Sequence, residues 1–561
     1  MLLGNPHYPW DGILRLYQQH LTIPGKRDVM GVTLPGLPTI VIGFTRDFAW
    51  SHTVNTSTHF TLYALELDPK DPTRYRVGDT WHSMTKERVE LRARKADGSI
   101  ETVAHDFWFT RYGPVLIQPG KFEWSATGAY AIRDANLTNN RMLETWHEMG
   151  AAQSLEGFEK AVKGLVGLPW VNTLAADREG RALYLDVTPV PNVAADKQQR
   201  CIAEEHRKLV SENLFVLDGS DPDCGWDVDP AAPQEGIVPG DRLPSLWRTD
   251  YVQNSNDSAW MTNAASPLAG FSQTVSKDGE ELQGRTRMGI AQIEARMAGN
   301  DGRPGNGFTL EQLQNVSFNN RVFYAALVRG ELNALCHDPG TVTVEGTDVP
   351  LGDACATFRA WDGTANADSV GYPLFGLWWD RLEDNKAIWS APDRQVENHP
   401  IWVVPFSADD PVNTPRGLRR DDPAVAQFAR ESLGAAILEL RKRGIDWKKP
   451  WGEIQYVEAK GKRVPVHGGA SGDVYNIMYS VPAEPGRMVV KLGSSYVQTV
   501  GFDDDGPVAD AILTYSQSSN PDSPHHGDQI GLFSAGKWIR QPFTEAEIKA
   551  DPGYKTKTVS E

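Results

Sequence analysis

The rhythm of strand and helix signals constrains this chain more than any other feature of its sequence. Runs rich in β-branched and aromatic residues, Pro38 to Thr45, Phe60 to Leu67, Arg88 to Arg94 and Ala104 to Thr110, crowd the first half and are separated by Gly, Pro and Asp. Val171 to Ala176 and Ala182 to Thr188 flank Asp177-Arg178-Glu179-Gly180, which reads as a hairpin turn. Helical signals interleave with these strands irregularly. Ser154 caps a helix whose inner face carries Leu155, Phe158, Val162 and Leu165, and Thr309 and Gln312 have capping-box spacing. Asp422-Pro423 opens another, with Leu433, Ile437 and Leu440 on one face and Gly444 at its end. A parallel α/β fold would need helices and strands in regular alternation, so the class is α+β, with antiparallel sheets.

No long flexible tract, repeat or low-complexity segment divides the 561 residues, which suffice for one large body with a buried core. Residues 1–561 are therefore read as one unit, and the polar region Ala194 to Asp241 as a possible surface insertion. The formal net charge of -17 argues against nucleic acid or an anionic membrane as partner, since the long-range field repels both. A neutral or cationic small substrate fits that charge. The most apolar stretch, Leu34 to Phe48, is broken by Pro35, Pro38 and Arg46, and no window reaches the roughly 18 to 20 apolar residues of a membrane span. Met1 to Trp10 has no basic start and no long apolar segment, so no signal peptide is read there.

Cys201, Cys224, Cys336 and Cys355 fall into two sequence-local pairs beside turn-prone residues. The spacing suits two loop-closing disulfides better than zinc, and four buried thiols fit the residues equally. His525-His526-Gly527-Asp528 has the look of a metal cluster but reads as loop packing, so no metal is assigned and no cofactor is implied.

Four segments in fixed order carry a resemblance: Leu2-Leu3-Gly4-Asn5-Pro6-His7-Tyr8-Pro9-Trp10, Trp50-Ser51-His52-Thr53-Val54-Asn55, Gln253-Asn254-Ser255-Asn256-Asp257 and Tyr515-Ser516-Gln517-Ser518. Together they resemble the penicillin amidase family, most closely the β-chain of its acyl-homoserine-lactone and lipopeptide acylases. The similarity continues through Asp528-Gln529 to Trp538 and covers essentially the whole chain. The resemblance implies an αββα sandwich with insertions and a precursor that cleaves itself to expose a serine at the start of the β-chain. That serine's hydroxyl attacks a linear amide while its own α-amine takes the proton.

On this resemblance His7 orients the serine and its amine, although a histidine in a Pro-rich loop is usually structural. Val54 would donate its backbone N–H to the oxyanion hole, and Asn254 its side-chain amide, with Asn256 as the alternative in a cluster that otherwise reads as a turn. Arg285, or in a shifted alignment Arg287, would hydrogen-bond beside the asparagine. Tyr8, Trp146 and Trp170 would line an acyl pocket, where the bland reading of each is core.

The resemblance further implies a periplasmic or secreted protein, and hence the disulfides Cys201–Cys224 and Cys336–Cys355. It implies an α-chain partner from the same precursor and a small acyl-amide substrate. In the family the serine lies a short way before the Asn-Pro-His segment, whereas here Met1 almost abuts His7. The expectation is an N-terminally truncated chain lacking the serine strand, the α-chain and a signal peptide, and inactive by itself. The favoured activity is removal of an aliphatic acyl chain from an acyl-homoserine lactone or lipopeptide. Penicillin or cephalosporin acylase activity and a non-catalytic acyl-binding remnant are the alternatives.

Overall fold

In a computed structural model, which describes residues 1–384, 401–470 and 473–559, the turn at Asp177 organises the centre of the largest sheet. The Asp177 carboxylate accepts the N–H groups of Glu179 at 3.1 Å and Arg181 at 2.9 Å, and Gly180 takes the left-handed conformation that closes the turn. The strands Val171–Asp177 and Ala182–Leu185 that it joins pair antiparallel. The sheet runs Ser245–Arg248, Ala182–Leu185, Val171–Asp177, β6 (Phe48–Val54), β5 (Ile42–Phe44), β4 (Arg27–Thr33) and β3 (Tyr17–Ile23), antiparallel throughout.

Side chains alternate across β6, and each face meets a different layer. Phe48 and Trp50 pack on Phe158 with ring centroids 5.5 and 5.6 Å apart. Phe158 belongs to α2 (Leu155–Leu165), which follows α1 (Met142–Ala151); α1 lies on β4 and α2 on Val171–Asp177. Ser154 caps α2 as expected, accepting Gly157 N–H at 3.2 Å. On the other face, Ser51 meets Gly4 of β1 (Leu2–Gly4), where a Cβ would stand only 2.8 Å from the serine hydroxyl. Glycine is what lets the two sheets approach this closely. β1 is the edge of a second sheet with Tyr496–Phe502, Pro507–Leu513 and Ile539–Arg540, and the helix Leu310–Phe318 lies on Tyr496–Phe502. The capping box at Thr309 and the cap at Asp422 are both present.

β2 (His7–Pro9) belongs to a third sheet, paired with Arg487–Ser494. Two short pairings depart from the antiparallel expectation: Gln455–Ala459 with Arg487–Ser494, and Val216–Asp218 with β7 (Phe60–Asp68), are parallel. The second revises the reading of 194–241 as a surface insertion. Phe215, Leu217, Ile202, Trp226 and Ile237 are buried in the main core, so scattered apolar residues anchor this polar stretch to it. Conversely, the strands read at Arg88 to Arg94 and Ala104 to Thr110 are the arms of a mostly exposed hairpin, Thr85–Arg94 with Ile100–Phe109. A separate buried cluster, from Val322 to Val474, packs Phe375, Trp378, Leu433 and Ile437 into a largely helical lobe.

Both local cysteine pairs are disulfides, Cys201–Cys224 and Cys336–Cys355, bridging 23 and 19 positions. Closing loops of this size restricts the unfolded chain and stabilises by about 3 kcal/mol each. Replacing Cys336 and Cys355 by serine should lower the free energy of unfolding in urea by about 2 to 4 kcal/mol. A midpoint equal to wild type under non-reducing conditions would show that the crosslink adds nothing.

Candidate active site

β5 ends before β6 does. It pairs β6 only at Ala49 and Trp50, so Val54, the last residue of β6, has no strand on that side. Asn55 N–H donates to Trp170 O at 3.2 Å, and in an antiparallel ladder the next residue's polar groups face the opposite way. Val54 N–H and C=O therefore both point past the end of β5. Asn256 Nδ2 donates to Val54 O there, at 3.0 Å. Asn256 stands in the left-handed region (φ 72°), which asparagine tolerates, and its Oδ1 accepts from Arg285 Nη2 at 3.0 Å.

The amide of Asn254, expected as the oxyanion donor, is engaged elsewhere. Its Nδ2 donates to Asp257 O at 2.9 Å, and its Oδ1 accepts from Thr53 Oγ1 at 2.7 Å, Asn172 Nδ2 at 3.2 Å and Asn256 N–H at 2.8 Å. This is an asparagine holding a turn. The alternative, Asn256, is the residue presented beside Val54. The two arginines differ in direction, since side chains two apart on a helix diverge. Arg285 enters the site from the start of the helix Gly284–Met297. Arg287 turns away, donating to Val412 O and Pro415 O at 2.9 Å each and lying 5.0 Å over the Phe323 ring. Burial lowers the Arg285 pKa, opposed by Asp257, Tyr475 and Asp473.

His7 Nε2 lies 3.2 Å from Tyr475 O. A carbonyl only accepts, so Nε2 carries the proton and Nδ1 keeps a lone pair. Burial first, and the Arg285 charge second, depress the His7 pKa to about 3, so the imidazole is neutral at working pH. Tyr8 is half-buried opposite Gly493, and burial raises its pKa. Trp170 is half-exposed at the strand end beside Val54. Trp146 is instead buried in α1 and its indole N–H donates to His52 Nε2 at 3.2 Å, which makes it core behind β6. The residue before and the residue after Val54 are both anchored, neither anticipated from sequence. Thr53 binds Asn254, and Asn55 Nδ2 donates to Asp186 at 2.7 Å. Asp186 is buried, which pushes its pKa up to about 6 against the bonds from Asn55 and Ser57.

The sequence profile of penicillin amidase matches residues 1–550. The chain belongs to the penicillin amidase family. It is 43% identical over 564 residues to the acyl-homoserine lactone acylase PvdQ of Pseudomonas syringae pv. syringae (strain B728a), covering 100% of this chain and 69% of that protein. It is 37% identical over 567 residues to the aculeacin-A acylase of Actinoplanes utahensis, covering 100% and 68%. A penicillin G acylase from Alcaligenes faecalis superposes with a TM-score of 0.64 at 16% identity, covering 100% of this chain and 96% of that one, which establishes the penicillin amidase fold.

His52 gives the site a measurable signature. Trp146 holds its Nε2 as an acceptor, and burial depresses its pKa to about 4 from 6.5. A depressed folded pKa contributes stability that is present above 6.5 and lost as pH falls toward the folded value. Between pH 6 and 4.5 the unfolding free energy of wild type should fall faster than that of His52→Gln by up to about 1.4 kcal/mol per pH unit. The difference cancels His7 and Asp186, which titrate in both proteins. Parallel curves would mean that His52 is not held neutral.

Proposed function

We propose that this chain is the β-chain-like body of an N-terminal-nucleophile acylase of αββα layering, which hydrolyses a linear amide to release an aliphatic acyl chain from an acyl-homoserine lactone or lipopeptide. The observation that carries this reading is the convergence of Val54 N–H, the Asn256 amide and Arg285 at the end of β6. Relatives matched over the whole of this chain are named an acyl-homoserine lactone acylase and an aculeacin-A acylase.

In this reading the attacking serine comes from a segment of the precursor outside these 561 residues, and so does the α-chain partner. Ser51, Ser255 and Ser516 do not serve, because each carries an amide nitrogen that cannot act as base. The serine oxygen bonds to the amide carbon and its proton passes to the serine α-amine. The carbonyl electron pair moves onto oxygen, where Val54 N–H and the second N–H of Asn256 Nδ2 stabilise it. Collapse expels the amine, which takes the proton back, and water then releases the acid by the same steps. Arg285 at Asn256 Oδ1 polarises the amide toward the oxyanion, and neutral His7 offers Nδ1 to orient the serine end. Half-exposed Val54 and Trp170, with Tyr8, would form the apolar approach for the acyl chain. Two disulfides support export to an oxidising compartment.

In the processed two-chain enzyme, Asn256→Ala should lower kcat by roughly 10²–10³-fold with little change in KM, the effect of losing one oxyanion donor. Aliphatic acyl amides should be preferred to phenylacetyl amides, each added methylene contributing up to about 0.8 kcal/mol until the pocket is full. Steady-state assays on a chain-length series measure both. Turnover by the 561-residue chain alone would refute the nucleophile assignment, and faster phenylacetyl hydrolysis would refute the substrate class.

A further inference from the structure

Asn172 is completely buried at the second position of the strand Val171–Asp177. Its Nδ2 donates to Thr53 Oγ1 at 3.1 Å and to Asn254 Oδ1 at 3.2 Å, and lies 3.5 Å from Val54 O. Its Oδ1 accepts the hydroxyl of buried Tyr184 at 2.7 Å. The donors follow one direction. Tyr184 gives to Asn172, Asn172 gives to Thr53 and Asn254, Thr53 gives to Asn254, and Asn254 Oδ1 in turn holds Asn256 N–H at 2.8 Å. The end of β6 and the loop 254–257 lie about 200 positions apart in the chain, and no strand pairing ties one to the other.

We propose that Asn172, oriented by Tyr184, is a positioning residue that sets the spacing between Val54 N–H and the Asn256 amide. The inference rests on the acylase reading above and adds to it the device that holds the oxyanion donors together. Asparagine suits the position because it must accept on one side and donate on the other. Asn256 N–H can only donate, so it fixes Asn254 Oδ1 as an acceptor; this selects the Asn172 orientation with Nδ2 toward Thr53 and Asn254, and the Tyr184 hydroxyl donates to the Oδ1 that is left facing it. An aspartate would face the Asn254 oxygen with another acceptor and push the loop away. Because the bonds run unbroken from Tyr184 to Asn256 at 2.7 to 3.2 Å and start from a fully buried side chain, little play is left between the two donors.

The test is a double-mutant cycle in the processed enzyme, reading kcat and KM on a long-chain acyl amide. Asn172→Asp, which keeps the volume, should lower kcat roughly tenfold to a hundredfold with KM nearly unchanged, the scale of a donor misplaced by a fraction of an ångström to an ångström. In an Asn256→Ala background the same substitution should cost nothing further, since the donor it positions is gone. A purely structural role would give the same proportional loss in both backgrounds. Tyr184→Phe removes one hydroxyl at nearly constant volume and should follow the same pattern with a smaller loss, which covers the case of an Asn172→Asp protein that fails to fold. Additive losses, or a variant with wild-type kcat, would overturn the positioning role while leaving the acylase reading intact. A wild-type processed enzyme that turns over no acyl amide would overturn the acylase reading, and the positioning role falls with it.

Discussion

A difference in strand length underlies the site. β6 outruns β5, so the backbone polar groups of Val54 have no ladder partner on one side. A buried or half-buried backbone group without a partner is costly, so something must meet it. Asn256 does so from a loop about 200 positions away, and it brings Arg285 with it. The same gap that the sheet leaves open is thus where the Val54 backbone and the Asn256 side chain, from different parts of the chain, meet. Gly4 on Ser51 locks β6 against the second sheet a few residues earlier, so the strand end is presented from a fixed base.

The electrostatic character of the site follows from burial. Arg285 keeps its charge among Asp257, Asp473 and the Asn256 carbonyl, and this charge helps to hold His7 neutral. His7 and His52 are both neutral, yet their tautomers are opposite because their neighbours differ. A carbonyl fixes the proton of His7 on Nε2, whereas an indole N–H leaves His52 its proton on Nδ1, directed at Asn172 O. In the proposed mechanism the base is a terminal amine, and the depressed pKa values of both histidines fit orienting and packing roles beside it.

Much of the local structure was legible because its causes are local. The hairpin at Asp177 and the caps at Ser154, Thr309 and Asp422 depend on residues within a few positions of one another, whereas the cysteine spacing left free thiols open and the family resemblance supplied the pairing. Exposure was not legible in the same way. The strands at Arg88 to Arg94 and Ala104 to Thr110 carry apolar residues such as Val89, Leu91 and Phe107 and yet form a projecting hairpin, whereas the polar stretch 194–241 sends Phe215, Leu217 and Trp226 into the core. Composition records what a segment could bury, and neighbours decide whether it does.

The site divides along the same line. The sequence by itself determined the α+β class, and the resemblance its motifs carry named the segment around Val54, two asparagines and two arginines as candidates for the site. Periodicity, turn chemistry and motif order are all written in neighbouring residues. Only the tertiary structure decided that Asn254 holds the turn while Asn256 faces Val54, that Arg285 points inward while Arg287 does not, and that Trp146 is core. Those outcomes depend on the direction of a side chain relative to a strand end brought in from far along the chain. A short stretch of sequence carries the residue types available for such a contact, and the packing of distant elements selects which of them makes it.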